Sequence, residues 1–193
     1  MNENAMTIPA VVMQRLARGR AAAEVMLVVS ASALIAIAAQ VAIPLPFTPV
    51  PLTLQPMAVL LVGVVLGGTR GAAAATLYLL EGMSGLPVFA QGHGGPYWLV
   101  GPTAGFLYSY PFAAGLAGFI SERGWGNSVV RAIVAMLVSL GVIYLGGWSW
   151  FAATIDRRTA FALTVAPFVF ADIVKVALGA ALLPKAQRLI NRL

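Results

Sequence analysis

Residues 25–43 read VMLVVSASALIAIAAQVAI. The run holds no charged side chain, and its polar members are Ser30, Ser32 and Gln40. An α-helix rises about 1.5 Å per residue, so a hydrocarbon layer about 30 Å thick takes about 20 mostly apolar residues to cross. This run is about that long. Arg15, Arg18 and Arg20 before it, and the small residues of AIAAQVA within it, also give it the outline of a secretory leader. A leader's apolar region is shorter, about 7–15 residues, and further apolar runs follow this one. The reading is a first membrane span that stays in the protein.

The rest of the chain agrees. Its 193 residues are 60% hydrophobic and 9% charged, with a mean hydropathy of +0.90. Soluble domains carry about 25% charged residues. There is too little polar surface here to cover a water-exposed globule. The apolar stretches are continuous and rich in Ala, Leu and Val, which disfavours a β-barrel with its period-two alternation. The expected fold class is an all-α membrane protein, with six transmembrane helices in one bundle. The chain has no cysteine, which excludes disulfides and thiolate metal sites. Its net charge of +6 comes from basic residues at the ends of apolar segments, not from one stripe, so it speaks for membrane topology and not for nucleic acid.

Outward from the first span, PLPFTPVPL (44–52) carries four prolines and reads as a stiff extended loop. Further spans are expected at about 53–67, 71–84, 103–121, 129–150 and 160–183, the last ended by Pro184. GLPVFAQGHGGPYWLVGPTAG (85–105) is too rich in Gly and Pro to be one helix. The expected organisation is a cytoplasmic segment 1–24, a six-helix membrane domain 25–185 and a cytoplasmic tail 186–193. Nine Lys and Arg residues fall on the side that holds both termini, and Arg157 and Arg158 fall on the other; Lys175 lies within a span. The positive-inside rule then puts both termini in the cytoplasm and turns the proline loop, the His93 loop and the 151–159 loop outward. Small residues recur four apart at Gly63/Gly67, Gly67/Gly71, Gly101/Gly105, Ala177/Ala181 and Ser32/Ala36. That spacing lets helices approach closely, either within the bundle or against another membrane protein.

Several chemistries are missing. Neither lysine follows a glycine, so there is no phosphate-binding G-x-x-x-x-G-K-[ST] loop. One histidine and no cysteine cannot assemble the usual zinc sets. No G-x-S-x-G elbow marks a nucleophile. What stands out is FADIVKVALGAALLP (170–184), where Asp172 and Lys175 interrupt an apolar run. Residues three apart share a helical face, so the two can pair. Each charge at mid-membrane costs about 2.5–3.5 kcal/mol on insertion scales, and such residues are functional by default. The pair is either a structural lock for the last helix or a ligand site. Gln55, Tyr78 and the loop around His93, with glycines at 92, 94 and 95, are placed to converge with it. Phe89, Tyr97 and Trp98 either wall an apolar slot or mark the membrane interface. Together they describe an outward-facing pocket with donors and acceptors, suited to a small polar, ring-sized solute.

PVPLTLQPMAVLLVGVVLGGTRGAAAATLYLLEGMSGLPVFAQGHGGPYWLVGPTAG (49–105) closely resembles BioY, the biotin-specific substrate-binding (S) component of energy-coupling-factor (ECF) transporters. The P-V-P-x-T-L-Q start, the L-Y-L-L-x-G-x-x-G-L-P-V-F-A run, the G-x-G-G turn and the G-P-T-x-G segment follow in order. Phe170, Asp172 and Lys175 supply the F-x-D-x-x-K element. The resemblance implies biotin under the loop that carries His93, with Asp172 accepting from the ureido N–H groups and Lys175 donating to its carbonyl oxygen. The implied binding residues are Gln55, Tyr78, His93, Gly94, Gly95, Gly101, Asp172 and Lys175. It also implies no cofactor and no enzymatic activity, residence in the bacterial inner membrane, and assembly with a membrane scaffold and two ATPases. The resemblance also leaves open that the chain acts alone. The scaffold would dock on the first helix at Ser32 and Ala36. Three departures stand beside the match: His93 where relatives often carry Asn, Gln91 where they often show a small residue before G-x-G-G, and F-A-D where P-G-D is usual. Pro167, four residues before Ala171, predicts altered helix geometry near Asp172. The alternatives are a membrane-embedded enzyme using Asp172 and His93 as acid and base, and a structural subunit.

Overall fold

The computed structural model describes residues 20–125 and 128–190. In chain order the elements are α1 (Arg20–Gln40), β1 (Ala42–Ile43), β2 (Leu52–Thr53), α2 (Gln55–Leu66) and α3 (Gly68–Met83). Two 3₁₀ turns follow, Ala90–Gly92 and Pro96–Leu99, then α4 (Ala104–Glu122), α5 (Val129–Ala152), α6 (Arg157–Thr164) and α7 (Val169–Ile190). The helices form one bundle, in agreement with the all-α reading. α4 lies at its centre and packs on α2, α3 and α5, while α1 covers α2 and α3, and α7 rests on α2 and α5. Tyr78, Ile35, Leu60, Met136 and Ile143 are the largest fully buried side chains. The outer faces are apolar, with Met26, Ile37, Phe112 and Leu145 exposed, as lipid-facing surfaces are.

Among the described residues, α1 and α5 are each long and apolar enough to cross a membrane, and α6 with α7, bent by 42° at their break, is long and apolar enough taken as one span. α2, with 12 residues, is apolar but shorter than a full hydrocarbon crossing. The expected N-terminal segment 1–24 lies mostly outside the described residues, and its last five residues begin α1. Of the expected tail 186–193, the residues to Ile190 continue α7.

The last span differs most from expectation. The single helix from about 160 to 183 is two helices, separated by turns at 165–168 that contain Pro167. Proline has no N–H to donate and its ring crowds the carbonyl four residues back, so the helix breaks there. Pro184, expected to end the span, lies inside α7. A proline removes one amide hydrogen bond, which a long helix in an apolar setting tolerates. The break places Asp172 in the first turn of α7, and not deep along one continuous helix.

At Gly63, Gly71 and Gly105 the small-residue spacing serves the bundle interior, whereas Ala177 and Ala181 are exposed on α7. A Cβ on Gly63 would strike the Ala114 carbonyl oxygen, one on Gly71 would sit 2.7 Å from the Gly63 Cα, and one on Gly105 would strike the Gly146 carbonyl. Gly67, at φ +86°, makes the turn between α2 and α3. That turn is held from α4: Ser121 Oγ donates to the Val64 carbonyl at 2.9 Å, and Glu122 Oε1 accepts from the Gly68 N–H at 3.0 Å. Glu24 and Arg70 form a forked ion pair between α1 and α3. Farther along the same two helices, Ser32 Oγ donates to Glu81 Oε2 at 2.5 Å.

The proline stretch, expected as a stiff extended loop, is the loop of a short hairpin. Ala42 pairs with Thr53 and Ile43 with Leu52 across the antiparallel strands. Thr48 Oγ1 ties the loop to α6 by donating to the Leu163 carbonyl at 2.8 Å. Asp156 caps α6, accepting from the amides of Arg158 and Thr159. Those bonds, with the Thr159 side chain contributing most, hold its carboxyl below the usual carboxylate range. A depressed carboxylate pKa adds stability above the unfolded value, and that stability is lost as pH falls through the folded one. Asp156→Ala is therefore expected to lower the thermal midpoint at neutral pH, with the difference from the parent shrinking as pH drops below about 4. A midpoint gap independent of pH would contradict this.

Candidate polar cavity beneath the 85–105 loop

α7 begins with three apolar residues and then Asp172, so its carboxylate sits where the helix N-terminus favours negative charge. Lys175 lies one turn on, and its Nζ donates to Asp172 Oδ1 at 2.8 Å. The same ammonium donates to the Thr53 carbonyl at 2.7 Å, at the end of the hairpin. From α5, the Tyr144 hydroxyl donates to Asp172 Oδ2 at 2.8 Å. Thr53 Oγ1 donates to Gln55 Oε1 at 3.2 Å, and Gln55 Nε2 donates to the Tyr78 hydroxyl at 2.6 Å. One network thus runs from Tyr144 through Asp172, Lys175, Thr53 and Gln55 to Tyr78. It joins α5, α7, the hairpin, α2 and α3, and among the described residues it leaves no buried polar side-chain atom without a partner. Two charges are held here by hydrogen bonds as well as by each other, the condition under which buried ions are tolerated.

Beside the network lies a cavity of about 120 Å³, room for a small molecule and not just one water. Asp172, Tyr144, Gln55 and Thr53 form its polar side, and Phe106, Phe89, Trp98 and Ile143 its apolar side. The 85–105 loop closes it: Phe89, Ala90, Gln91, His93 and Trp98 all face in. His93 stacks on Trp98 with ring centroids 4.1 Å apart, and its Nδ1 lies 2.8 Å from the Ala90 carbonyl. Phe89 is buried edge-on against Tyr78, at 5.6 Å between centroids.

Of the residues singled out from sequence, Gln55, His93 and Asp172 line the cavity. Tyr78 and Lys175 stand one hydrogen bond behind it. Gly94, Gly95 and Gly101 are not in the wall. Gly94 packs on the Leu86 carbonyl, the Gly95 N–H donates to the Gly82 carbonyl at 2.7 Å, and the Gly101 carbonyl accepts from Trp150 Nε1 at 3.1 Å. Their part is to shape the loop. Of the three aromatic residues, Phe89 and Trp98 wall the cavity, whereas Tyr97 is 75% exposed. Ser32, expected on a docking face, is fully buried, because Glu81 gives its hydroxyl an acceptor inside the bundle. Ala36 is half-buried.

Sequence reasoning missed Thr53, Tyr110 and Tyr144. Thr53 acts partly through its carbonyl, which no side-chain pattern reveals. Tyr110 and Tyr144 are buried in apolar helices, and the Tyr110 hydroxyl, at the cavity wall, makes no hydrogen bond to the described residues. A phenol within a membrane span was the available signal.

The sequence model of the BioY family matches residues 7–192. The chain belongs to the BioY family. It is 39% identical to the "Probable biotin transporter BioY" of Pyrococcus horikoshii, over 86% of this chain and 97% of that one. It is 36% identical to the "Biotin transporter BioY" of Thermotoga maritima, over 82% of this chain and 92% of that one. Among solved structures, the S-component for biotin from an ECF-type ABC transporter superposes with a TM-score of 0.78. That match covers 86% of this chain and 90% of the other at 24% identity, and it shows that the fold is the same. The BioY relatives are named as transporters and not as enzymes.

Proposed function

We propose that this BioY family chain captures biotin in the cavity beneath the 85–105 loop, as the substrate-specific component of an ECF transporter. One observation carries the reading: Asp172, paired with Lys175 behind it, stands with Tyr144, Gln55 and Thr53 in the wall of a cavity otherwise lined mainly by apolar and aromatic side chains. A ureido ring offers two N–H donors and a carbonyl acceptor. Asp172 carries two acceptor oxygens, each with one donor now and capacity for more. Lys175 spends two of its three N–H bonds on Asp172 and Thr53; it stands behind Asp172, so giving the third to the ring carbonyl requires the ammonium to turn toward the cavity. Phe106, Phe89 and Trp98 cover the apolar part of the solute. The protein is a transport component and not an enzyme.

The nine-to-two distribution of basic residues supports cytoplasmic termini, with the hairpin and the 85–105 loop on the outer face of the inner membrane. No phosphate-binding loop exists in the chain, so energy comes from partner ATPases through a membrane scaffold. The apolar, lipid-facing surfaces are where a scaffold would dock. Because Ser32 is buried, docking at Ser32 and Ala36 requires a shift of α1.

The test is equilibrium binding of labelled biotin to the purified chain in lipid nanodiscs, with other vitamins as unlabelled competitors. Saturable binding displaced by biotin alone is expected. A folded protein that binds none overturns the reading.

A further inference from the structure

We propose that Gln40, the last residue of α1, is the latch that holds the tip of the 85–105 loop over the cavity. The segment Val88–His93 folds on itself: the Phe89 N–H donates to the His93 carbonyl at 2.9 Å, and the His93 N–H donates to the Ala90 carbonyl at 3.4 Å. Among the described residues, its hydrogen bonds to any other element all run to Gln40. Gln40 Oε1 accepts from the Gly92 N–H at 2.9 Å, and Gln40 Nε2 reaches the Phe89 and Val88 carbonyls at 3.2 and 3.4 Å. Its Nε2 is also held by the Ala36 carbonyl, one turn back on α1, at 3.0 Å. The amide therefore reads both a donor and acceptors of the loop from a fixed helical base.

The remainder of the loop is anchored elsewhere. The Gly95 N–H is bound to α3 through the Gly82 carbonyl, and the Leu99 carbonyl accepts from the Tyr108 hydroxyl of α4 at 2.7 Å. On the other flank the Leu86 N–H donates to the Glu81 carbonyl of α3 at 3.2 Å. With both flanks tied, lifting the tip parts it from Gln40, draws Phe89 off Tyr78 and unstacks His93 from Trp98. Gln91, at the crest, holds φ +62°, a conformation that costs a non-glycine residue energy and persists only where neighbours enforce it. The Gly92–Gln40 bond is adjacent. Gln40 is exposed and does not line the cavity, so it acts on retention through the loop and is a positioning residue.

This assignment rests on the biotin-capture reading, and its test separates the two. Hydrogen–deuterium exchange of the empty protein is compared with biotin association and release rates. Gln40→Ala is expected to raise exchange in the 88–95 peptide about tenfold and to leave the rest of the bundle unchanged. Biotin release is expected to quicken about tenfold, the equivalent of about 1.4 kcal/mol, with association altered less than threefold. Gln40→Glu keeps the acceptor for the Gly92 N–H and loses the donors, so its exchange falls between the two. Unchanged exchange in Gln40→Ala overturns the latch, and so does faster exchange with unchanged release. If the parent chain binds no biotin, the capture reading falls and the exchange comparison alone decides the latch.

Discussion

Asp172→Asn is expected to weaken biotin binding by about a hundredfold or more while the protein still folds. The substitution keeps the side chain's size and one oxygen. It removes the charge and replaces the second oxygen with a donor. Tyr144 and Lys175 both donate to this carboxylate, so whichever of them meets the new NH₂ group loses its acceptor. The solute loses an anionic acceptor at the same time. Hydrogen bonds to charged groups are worth about 1.5–3 kcal/mol each, and one such bond lost with another weakened exceeds about 2.7 kcal/mol, a hundredfold in affinity. Asp172→Ala is the wrong experiment, because it strands the Lys175 ammonium, and an unpaired buried charge costs about 3–5 kcal/mol of stability. Equilibrium binding is measured together with elution behaviour and the thermal midpoint of the empty variant. A well-folded Asp172→Asn protein with parental affinity would remove the pair from the site.

How much of this was legible in the sequence depends on the reach of each signal. The helices were, because continuous apolar runs reflect the solvent they cross, and the Asp172–Lys175 pairing was, because a three-residue spacing fixes one face on any helix. The identity of the pocket's lid was legible from its glycines and prolines. The break at 165–168 was signalled by Pro167, yet a proline alone does not say whether a helix bends, ends or continues: Pro111 and Pro184 both lie within helices here. Tyr144 and Gln40 were beyond reach for a different reason. Each works through a partner 28 or more positions away, as in Tyr144 with Asp172 and Gln40 with Phe89, and pattern within one element carries no information about such pairs. Small-residue spacing identified close-packing faces without saying what they pack against. Ser32 shows the consequence, since its acceptor, Glu81, lies 49 residues on.

Gly118→Ala, a single added methyl, is expected to be among the most damaging changes in the bundle. On α4, Gly118 faces the turn between α2 and α3, and a Cβ there would collide with Gly67 and Gly68 and lie 2.6 Å from the Gly63 carbonyl oxygen. All three obstacles are backbone, so no rotamer change relieves them. α4 has to move away from α2 and α3, and that displaces Ser121 and Glu122, whose bonds to Val64 and Gly68 hold the same turn. Overpacking costs about 1–3 kcal/mol and the two hydrogen bonds about 1 kcal/mol each, so about 3–5 kcal/mol is at stake. In a chain of this size that lowers the thermal midpoint by about 10 °C or more. Gly115, one turn earlier on the same helix, is the control: its Cβ would meet Ala72 Cβ at 3.5 Å and the Gly68 oxygen at 3.8 Å, which are ordinary contacts. Alanine there gains up to about 1 kcal/mol of helix propensity, so Gly115→Ala is expected to match or exceed the parent's midpoint. Equal midpoints for the two variants would mean that α4 is not held against α2 and α3 as tightly as the glycine contacts require.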